Sequence, residues 1–366
     1  MEQKAQPLAV SVVIPCRNER DQIETALQSI LAQEPPPGGF EVIVADGMSD
    51  DGTRELLLQL AIQDKRLHII DNPARITPSG MNVGIGAAKG RYVAIMGAHN
   101  TYAPDYLGQC IEVLEQRNAD NVGGALICDA KSWLQRAIAA AHHSLFSVGG
   151  ARWHNANYEG PADTVFGGLY RREVFDRVGL FDEELVRNQD DEFNLRLTRA
   201  GGKIWQSPRI KSWYHPRESL GSLFQQQIQY GYWKVRVIQK HKIPASIRHL
   251  VPGCFVISLI LLALASPWSR VALWGWIELA GLYLACNLAA SILTSWRTDW
   301  GFFPLLPFVF TCYHFGYGYG FLRGLLDFVI FQREPTRAYT KLTRTPTYDP
   351  MGSAAAGQQD ESVPRV

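Results

Sequence analysis

The chain has 366 residues, enough for one large domain or two ordinary ones, and its 36 Lys and Arg against 35 Asp and Glu leave a net charge of +1. That balance excludes a dedicated nucleic-acid binder, whose footprint would be basic. The six cysteines form no CxxC pair and three lie in apolar runs, which argues against a zinc site or disulfide framework and for buried thiols in a reducing compartment.

The first residues do not read as a signal peptide, because their apolar run is short and broken by Pro15 and Arg17; the first half is therefore expected in the cytoplasm. Residues 9–15 (AVSVVIP) read as a strand, and 21–33 as a helix with Ile23, Leu27, Ile30 and Leu31 at helical spacing. Strands are predicted over 40–46, 67–71 and 91–97, helices over 51–63 and 77–90, and a further helix after Pro104. This β-α-β rhythm predicts an α/β fold, a mostly parallel sheet with helices on both faces, whose ligands lie at the carboxyl ends of the strands.

Those ends are polar. The first carries Arg17, Asn18 and Glu19, the second Asp46 followed by GMSDDGT, and the fourth Gly97, Ala98 and His99. No GxGxxG and no GxxxxGK[ST] occurs, which excludes the usual dinucleotide and P-loop phosphate sites. A carboxylate where a dinucleotide fold has glycines points to hydrogen bonding with a base or ribose. Asp50 or Asp51 also suits the cap of the next helix. Further on, QDDEFNLRLTRAG (189–201) places Asp190, Asp191 and Glu192 in the first turn of a helix, where acidic residues favour the dipole in any case.

Composition changes near residue 249. Residues 250–266 are 17 residues without a charge, and 271–293 are 23 with Glu278 as the one charge. Both are long and apolar enough to span a membrane. Residues 302–331 are apolar but hold Pro304, Pro307, Arg323 and Asp327, so this segment either spans or lies in the interface; Arg323 and Asp327 would share one helical face. Gly316, Gly318, Gly320 and Gly324 would permit close backbone packing. Lys234, Arg236, Lys240, Lys242 and Arg248 before the first span, and Arg333, Arg337, Lys341 and Arg344 after the third segment, put both flanks in the cytoplasm. Residues 219–240 mix Leu, Tyr and Trp with Lys and Arg as an interfacial segment does. The expected division is a catalytic domain over 1–240, a membrane region over 241–335 and a disordered tail over 336–366.

Taken in order, VVIPCRNE, VADGMSDDGT, MNVGIGAAKGRYVAIMGAH, VFGGLYRREVFDRVGLFDEEL and QDDEFNLRLTRAG resemble a family 2 glycosyltransferase of the GT-A fold, over about residues 9–240. The membrane-bound last third is similar to the succinoglycan-type exopolysaccharide glucosyltransferases. The resemblance implies inverting transfer of a sugar from a nucleotide-diphosphate donor, a UDP-hexose above all, to a lipid-linked saccharide at the cytoplasmic face of the inner membrane, beside other polysaccharide-assembly proteins. It implies Pro15, Arg17 and Glu19 in the nucleotide pocket, Asp46 on the uracil or ribose, and Ser49 and Asp51 in the loop beside it. Asp190 falls at the catalytic base, with Asp191 as its alternative; Gly167 and Gly168 match the acceptor-side loop. Gln229 and Trp233 match a Gln-x-x-Arg-Trp motif of processive members, but Tyr232 replaces its Arg. The family's Asp-x-Asp is replaced by Gly97-Ala98-His99. His99 then becomes the expected metal ligand, and Mn²⁺ is favoured over Mg²⁺ because imidazole suits Mg²⁺ poorly. His215 or Asp46 is the next suspect, although an ordinary structural histidine is the simpler reading of His215. Two other readings stay open: transfer to a simple polyprenyl phosphate, and an inactive sugar-nucleotide-binding subunit.

Overall fold

The computed structural model describes residues 7–150, 152–244, 246–334 and 339. Strands β1 (Val10–Cys16), β2 (Phe40–Asp46), β3 (Leu67–Asp71) and β4 (Tyr92–Ile95) alternate with helices α1 (Ile23–Leu31), α2 (Thr53–Gln63) and α3 (Thr77–Ala87). Next come β5 (Asn100–Tyr102), α4 (Tyr106–Arg117), β6 (Asn121–Gly124), β7 (Leu126–Cys128), α5 (Trp133–His142) and the single turn α6 (Leu145–Val148). Then follow β8 (Gly160–Pro161), β9 (Phe166–Arg171), α7 (Glu173–Val178), α8 (Gln189–Arg199), β10 (Ile204–Gln206) and β11 (Ser212–Tyr214). Four long helices finish the described chain: α9 (Leu220–His241), α10 (Val251–Ala265), α11 (Arg270–Arg297) and α12 (Leu306–Gly324).

The main sheet runs β3-β2-β1-β4-β9-β6-β10-β8. Its first four strands are parallel, as the sequence rhythm predicts; β9 then enters antiparallel between β4 and β6, and β8 runs antiparallel to β10. Side chains alternate across β1 with period two. Val12 and Ile14 pack with Ile23 and Leu27 of α1 and Leu57 of α2 on one face. Val13 packs with Met81 and Ile85 of α3 and Phe193 and Leu197 of α8 on the other. A small second sheet runs β5-β11-β7, and Asn100 of β5 reaches the cleft described below.

Helix α9 is not a surface segment. Leu223, Gln226, Trp233, Lys234 and Val237 are buried, because the α/β domain covers one side of the helix and α12 the other. The α9–α12 contact is backbone-close. A Cβ at Gly231 would stand 2.0 Å from the Tyr317 carbonyl oxygen, and one at Gly320 would stand 2.1 Å from that of Ile228. Gly316 and Gly324 meet α9 in the same way, so glycines four apart on α12 form the seam. Gly318 turns instead to α10. Arg323 and Asp327 pair at 3.1 Å, and Arg333 and the Tyr232 hydroxyl also reach Asp327.

Residues Ile247–Ala265 and Arg270–Arg297 are long and apolar enough to cross a membrane. Only 11% and 17% of their most apolar windows are buried inside the chain, so Leu261, Leu264, Trp274 and Leu282 face outward. A core helix of a soluble domain would be mostly covered. The third apolar segment forms α12 with a π-helical extension, Leu325–Ile330, and is held between α9 and α10. The expected tail, 336–366, lies outside the described residues apart from Tyr339.

Candidate active site

A cleft of about 950 Å³ opens at the carboxyl ends of β1 and β4. Pro15, Arg17 and Glu19 line it from β1, His99 from the end of β4, Gly167 and Gly168 from β9, Gln189 and Asp190 from α8, and Trp233 from α9. Residues 218 positions apart in sequence thus face one space.

The loop after β1 is held by the loop after β2. Asn18 adopts a left-handed φ of +53° and donates its N–H to the Ser49 hydroxyl at 3.0 Å. The side chains of Asn18 and Asp50 meet at 2.8 Å, and the Glu19 N–H donates to the Thr53 hydroxyl at 3.0 Å. Asp51 accepts the Thr53 N–H at 3.0 Å and the Arg20 N–H at 3.2 Å, so it joins the start of α2 to the β1 loop. Asp46 is fully buried; it accepts from the Ser49 hydroxyl at 2.6 Å and from Arg54 at 2.9 Å. A buried carboxylate demands such partners. Asp46, Ser49 and Asp51 therefore stand behind the cleft wall rather than on it, and fix the loop that presents Arg17 and Glu19.

His99 reaches across to Glu19, with Nδ1 at 2.9 Å from Oε1. Gly97 donates its N–H to the Tyr102 hydroxyl at 2.8 Å, which anchors the turn carrying His99 to β5. Gly167 has φ +62°, and a Cβ there would lie 2.7 Å from the Tyr106 hydroxyl, so glycine is required where β9 passes Tyr106. His215 is elsewhere, its Nδ1 3.1 Å from the Asp129 carbonyl oxygen.

Asp190 opens into the cleft at the first turn of α8. Its deep position, and then the like charge of Asp191, push its carboxyl above the ordinary value. The carboxylate is still wetted by the open cleft, so the shift grows in consequence only when a ligand excludes that water. Asp191 points the other way and pairs with Lys234 of α9. Burial alone would raise its pKa, but the Lys234 ammonium, with His249 beyond it, brings it below the usual value.

Helix α9 also holds the segment before α8. Arg187 donates from Nε to the Gln229 side chain at 3.0 Å, and the Asn188 side chain donates to the Tyr230 carbonyl at 3.0 Å. Asn188, at φ +61°, is the turn into α8. Farther along, His241 Nε2 lies 2.8 Å from Glu192. Gln229 and Asp191 thus stand behind the cleft, while Trp233 lines it. Lys234, which reads as a basic residue of an interfacial segment in the sequence, is 4% exposed and neutralises Asp191 instead.

Arg75 and Arg187 line the same cleft and bring two more guanidinium groups to it. Arg187 follows no recognised spacing in the sequence.

The family 2 glycosyl transferase model matches residues 11–179. The succinoglycan biosynthesis protein ExoA of Rhizobium meliloti (strain 1021) is 30% identical over 321 residues, covering 87% of this chain and 95% of that protein. The chain belongs to glycosyltransferase family 2. A second relative of this glycosyltransferase, from Methanococcus voltae, is dolichyl N-acetyl-alpha-D-glucosaminyl phosphate 3-beta-D-2,3-diacetamido-2,3-dideoxy-beta-D-glucuronosyltransferase. It is 28% identical and aligns over 87% of this chain and 97% of its own length. The mannosyltransferase PcManGT of Pyrobaculum calidifontis, solved with GDP-Man and Mn²⁺, shares the fold at a TM-score of 0.55 and 19% identity, over 83% of this chain and 88% of that one. The enzyme is thus a GT-A glycosyltransferase of glycan synthesis.

Proposed function

We propose that this glycosyltransferase moves a hexose from a UDP-sugar to a lipid-linked saccharide, with inversion, at the cytoplasmic face of the membrane in exopolysaccharide or other cell-surface glycan synthesis. The observation that carries the reading is the convergence of Arg17, Glu19, His99, Asp190 and Trp233 on one cleft large enough for a nucleotide sugar. The relatives supply the glycan context: one is named for succinoglycan biosynthesis, and the other for transfer to a dolichyl-linked sugar phosphate.

Asp190 is the base. Its carboxylate faces the cleft, and it takes the acceptor hydroxyl's proton as the oxygen attacks the anomeric carbon from the face opposite the leaving nucleotide. An α-linked donor thereby gives a β-glycoside. Asp191 cannot take this role while Lys234 holds it. Arg17, Arg75 and Arg187 offer charge to the donor's diphosphate. Glu19 and His99 fit a divalent cation, Mn²⁺ before Mg²⁺, in a site that needs only one or two protein ligands because substrate phosphates supply others. When bound, the cation neutralises the leaving diphosphate.

The two apolar helices anchor the catalytic domain beside lipid-borne acceptors and raise their effective concentration. The test is mass spectrometry of lipid extracts from membranes holding the enzyme and supplied with a panel of UDP- and GDP-sugars. A lipid product one hexose heavier is expected with one UDP-sugar. Metal-dependent nucleotide binding without any product would mark an inactive binding subunit instead.

A further inference from the structure

A second cavity of about 170 Å³ lies beyond Asp190 and shares Val165, Phe166 and Asp190 with the large cleft. At ~30 Å³ per water it holds on the order of five or six waters, room for a phosphate and the first carbons of a chain but not for a nucleotide. Tyr214, Tyr230, Arg217, Gln226 and Gln227 are among its polar lining residues. Ile138, Leu223 and Tyr313, which belong to the apolar cluster tying α5 and α9 to α12, line it as well.

Arg217 is the unexplained group. Its Nε and Nη1 are buried, and among the described residues neither has a hydrogen-bond partner. Buried N–H donors are almost always satisfied, so two orphans on one guanidinium that lines a cavity mark a missing acceptor. Arg187 stands nearby: its charge and that of Arg217 both act on the Tyr230 hydroxyl, together with Asp190. A guanidinium fork suits the oxygens of a phosphate. The apolar part of the lining suits a hydrocarbon chain and not a free ion.

We propose that this cavity binds the phosphate of the lipid-linked acceptor, with Arg217 as its anchor and the first carbons of the lipid against the α5–α9–α12 cluster. The inference rests on the lipid-linked reading of the acceptor. It explains how one end of an amphiphile is fixed while its sugar hydroxyl meets Asp190, which lines both cavities.

The experiment uses the full chain in detergent micelles, with farnesyl phosphate, farnesol and inorganic phosphate as probes and a UDP-sugar titrated in parallel. Farnesyl phosphate is expected to bind at least tenfold more tightly than farnesol or inorganic phosphate. Arg217→Ala is expected to weaken it at least tenfold, Arg217→Lys to restore part of the loss, and both variants to keep UDP-sugar affinity within twofold, which also reports an intact fold. Equal affinity for farnesyl phosphate in wild type and Arg217→Ala overturns the inference, and so does inorganic phosphate binding as tightly as the lipid. If wild type glycosylates lipids in native membranes while Arg217→Ala binds farnesyl phosphate normally, the inference falls and the proposed function stands. If wild type glycosylates only water-soluble acceptors, both fall.

Discussion

Lys234 of α9 neutralises Asp191, and Asp191 is the immediate neighbour of the carboxylate that faces the cleft. One lysine therefore decides which of two adjacent aspartates is bound into the structure and which is left for chemistry. Removing one partner of a buried ion pair costs about 3 kcal/mol or more, so Lys234→Met should lower stability by about that amount, measured by denaturant unfolding in detergent. Asp191 has a depressed folded pKa, so its contribution is present above the unfolded value of about 3.9 and is lost as pH falls through the folded one. The deficit of Lys234→Met against wild type should therefore shrink below about pH 4.

Asp190→Asn should keep UDP-sugar affinity and lower kcat by about 10²–10⁴-fold, the span typical of a lost general base. Single-turnover product formation beside a binding titration separates the two effects.

The pKa of Asp190 is raised by its deep position and by Asp191. A base must be deprotonated, so the acid limb of the rate profile should lie above the ordinary carboxylate value of about 3.9. Asp191→Asn removes the like charge and leaves Lys234 unneutralised, and both changes favour ionised Asp190. The limb should move to lower pH; a shift to higher pH would assign it to another group.

Glu19→Gln and His99→Ala should each raise the Mn²⁺ concentration needed for half-maximal activity about tenfold, the scale of losing one ligand or its support. Unchanged metal dependence in both would place the ion elsewhere.

Gly320→Ala should destabilise by about 1–3 kcal/mol, because its Cβ would meet backbone on α9 and neither helix can move without the other. Gly281→Ala on α11 meets nothing within 4 Å and should be neutral or stabilising by up to about 1 kcal/mol. Thermal unfolding of the two variants side by side distinguishes the seam from a general effect of helix glycines.

The parallel half of the sheet is legible because each strand there is a long apolar run with its polar residues massed after it: β2 and β3 span the predicted residues, and β1 and β4 are shifted or shortened by a few. The strands after residue 99 are shorter, most of them two to four residues, and leave too little periodicity to read. The cleft's membership is legible for the same reason at Arg17, Glu19 and His99, which follow strands. It is not legible for Arg187, which follows no motif and is held by Gln229 of α9, a helix that begins more than 30 residues later in the chain. Asp46 shows the limit of strand-end reasoning. The position suits a ligand contact, and in the structure Arg54, the second residue of α2, holds the carboxylate.

The glycine seam also bears on how this chain can be divided. Composition suggests a cut near residue 240, with an enzyme before it and an anchor after it. A fragment ending there would keep α9 but strip off α12, baring the Gly231 groove and the rings of Tyr232 and Trp233 to water. The helix that steadies Arg187, Asn188 and Asp191 would lose its backing on that side. The α/β part and the last helices share a wall, and neither is a detachable part of the other.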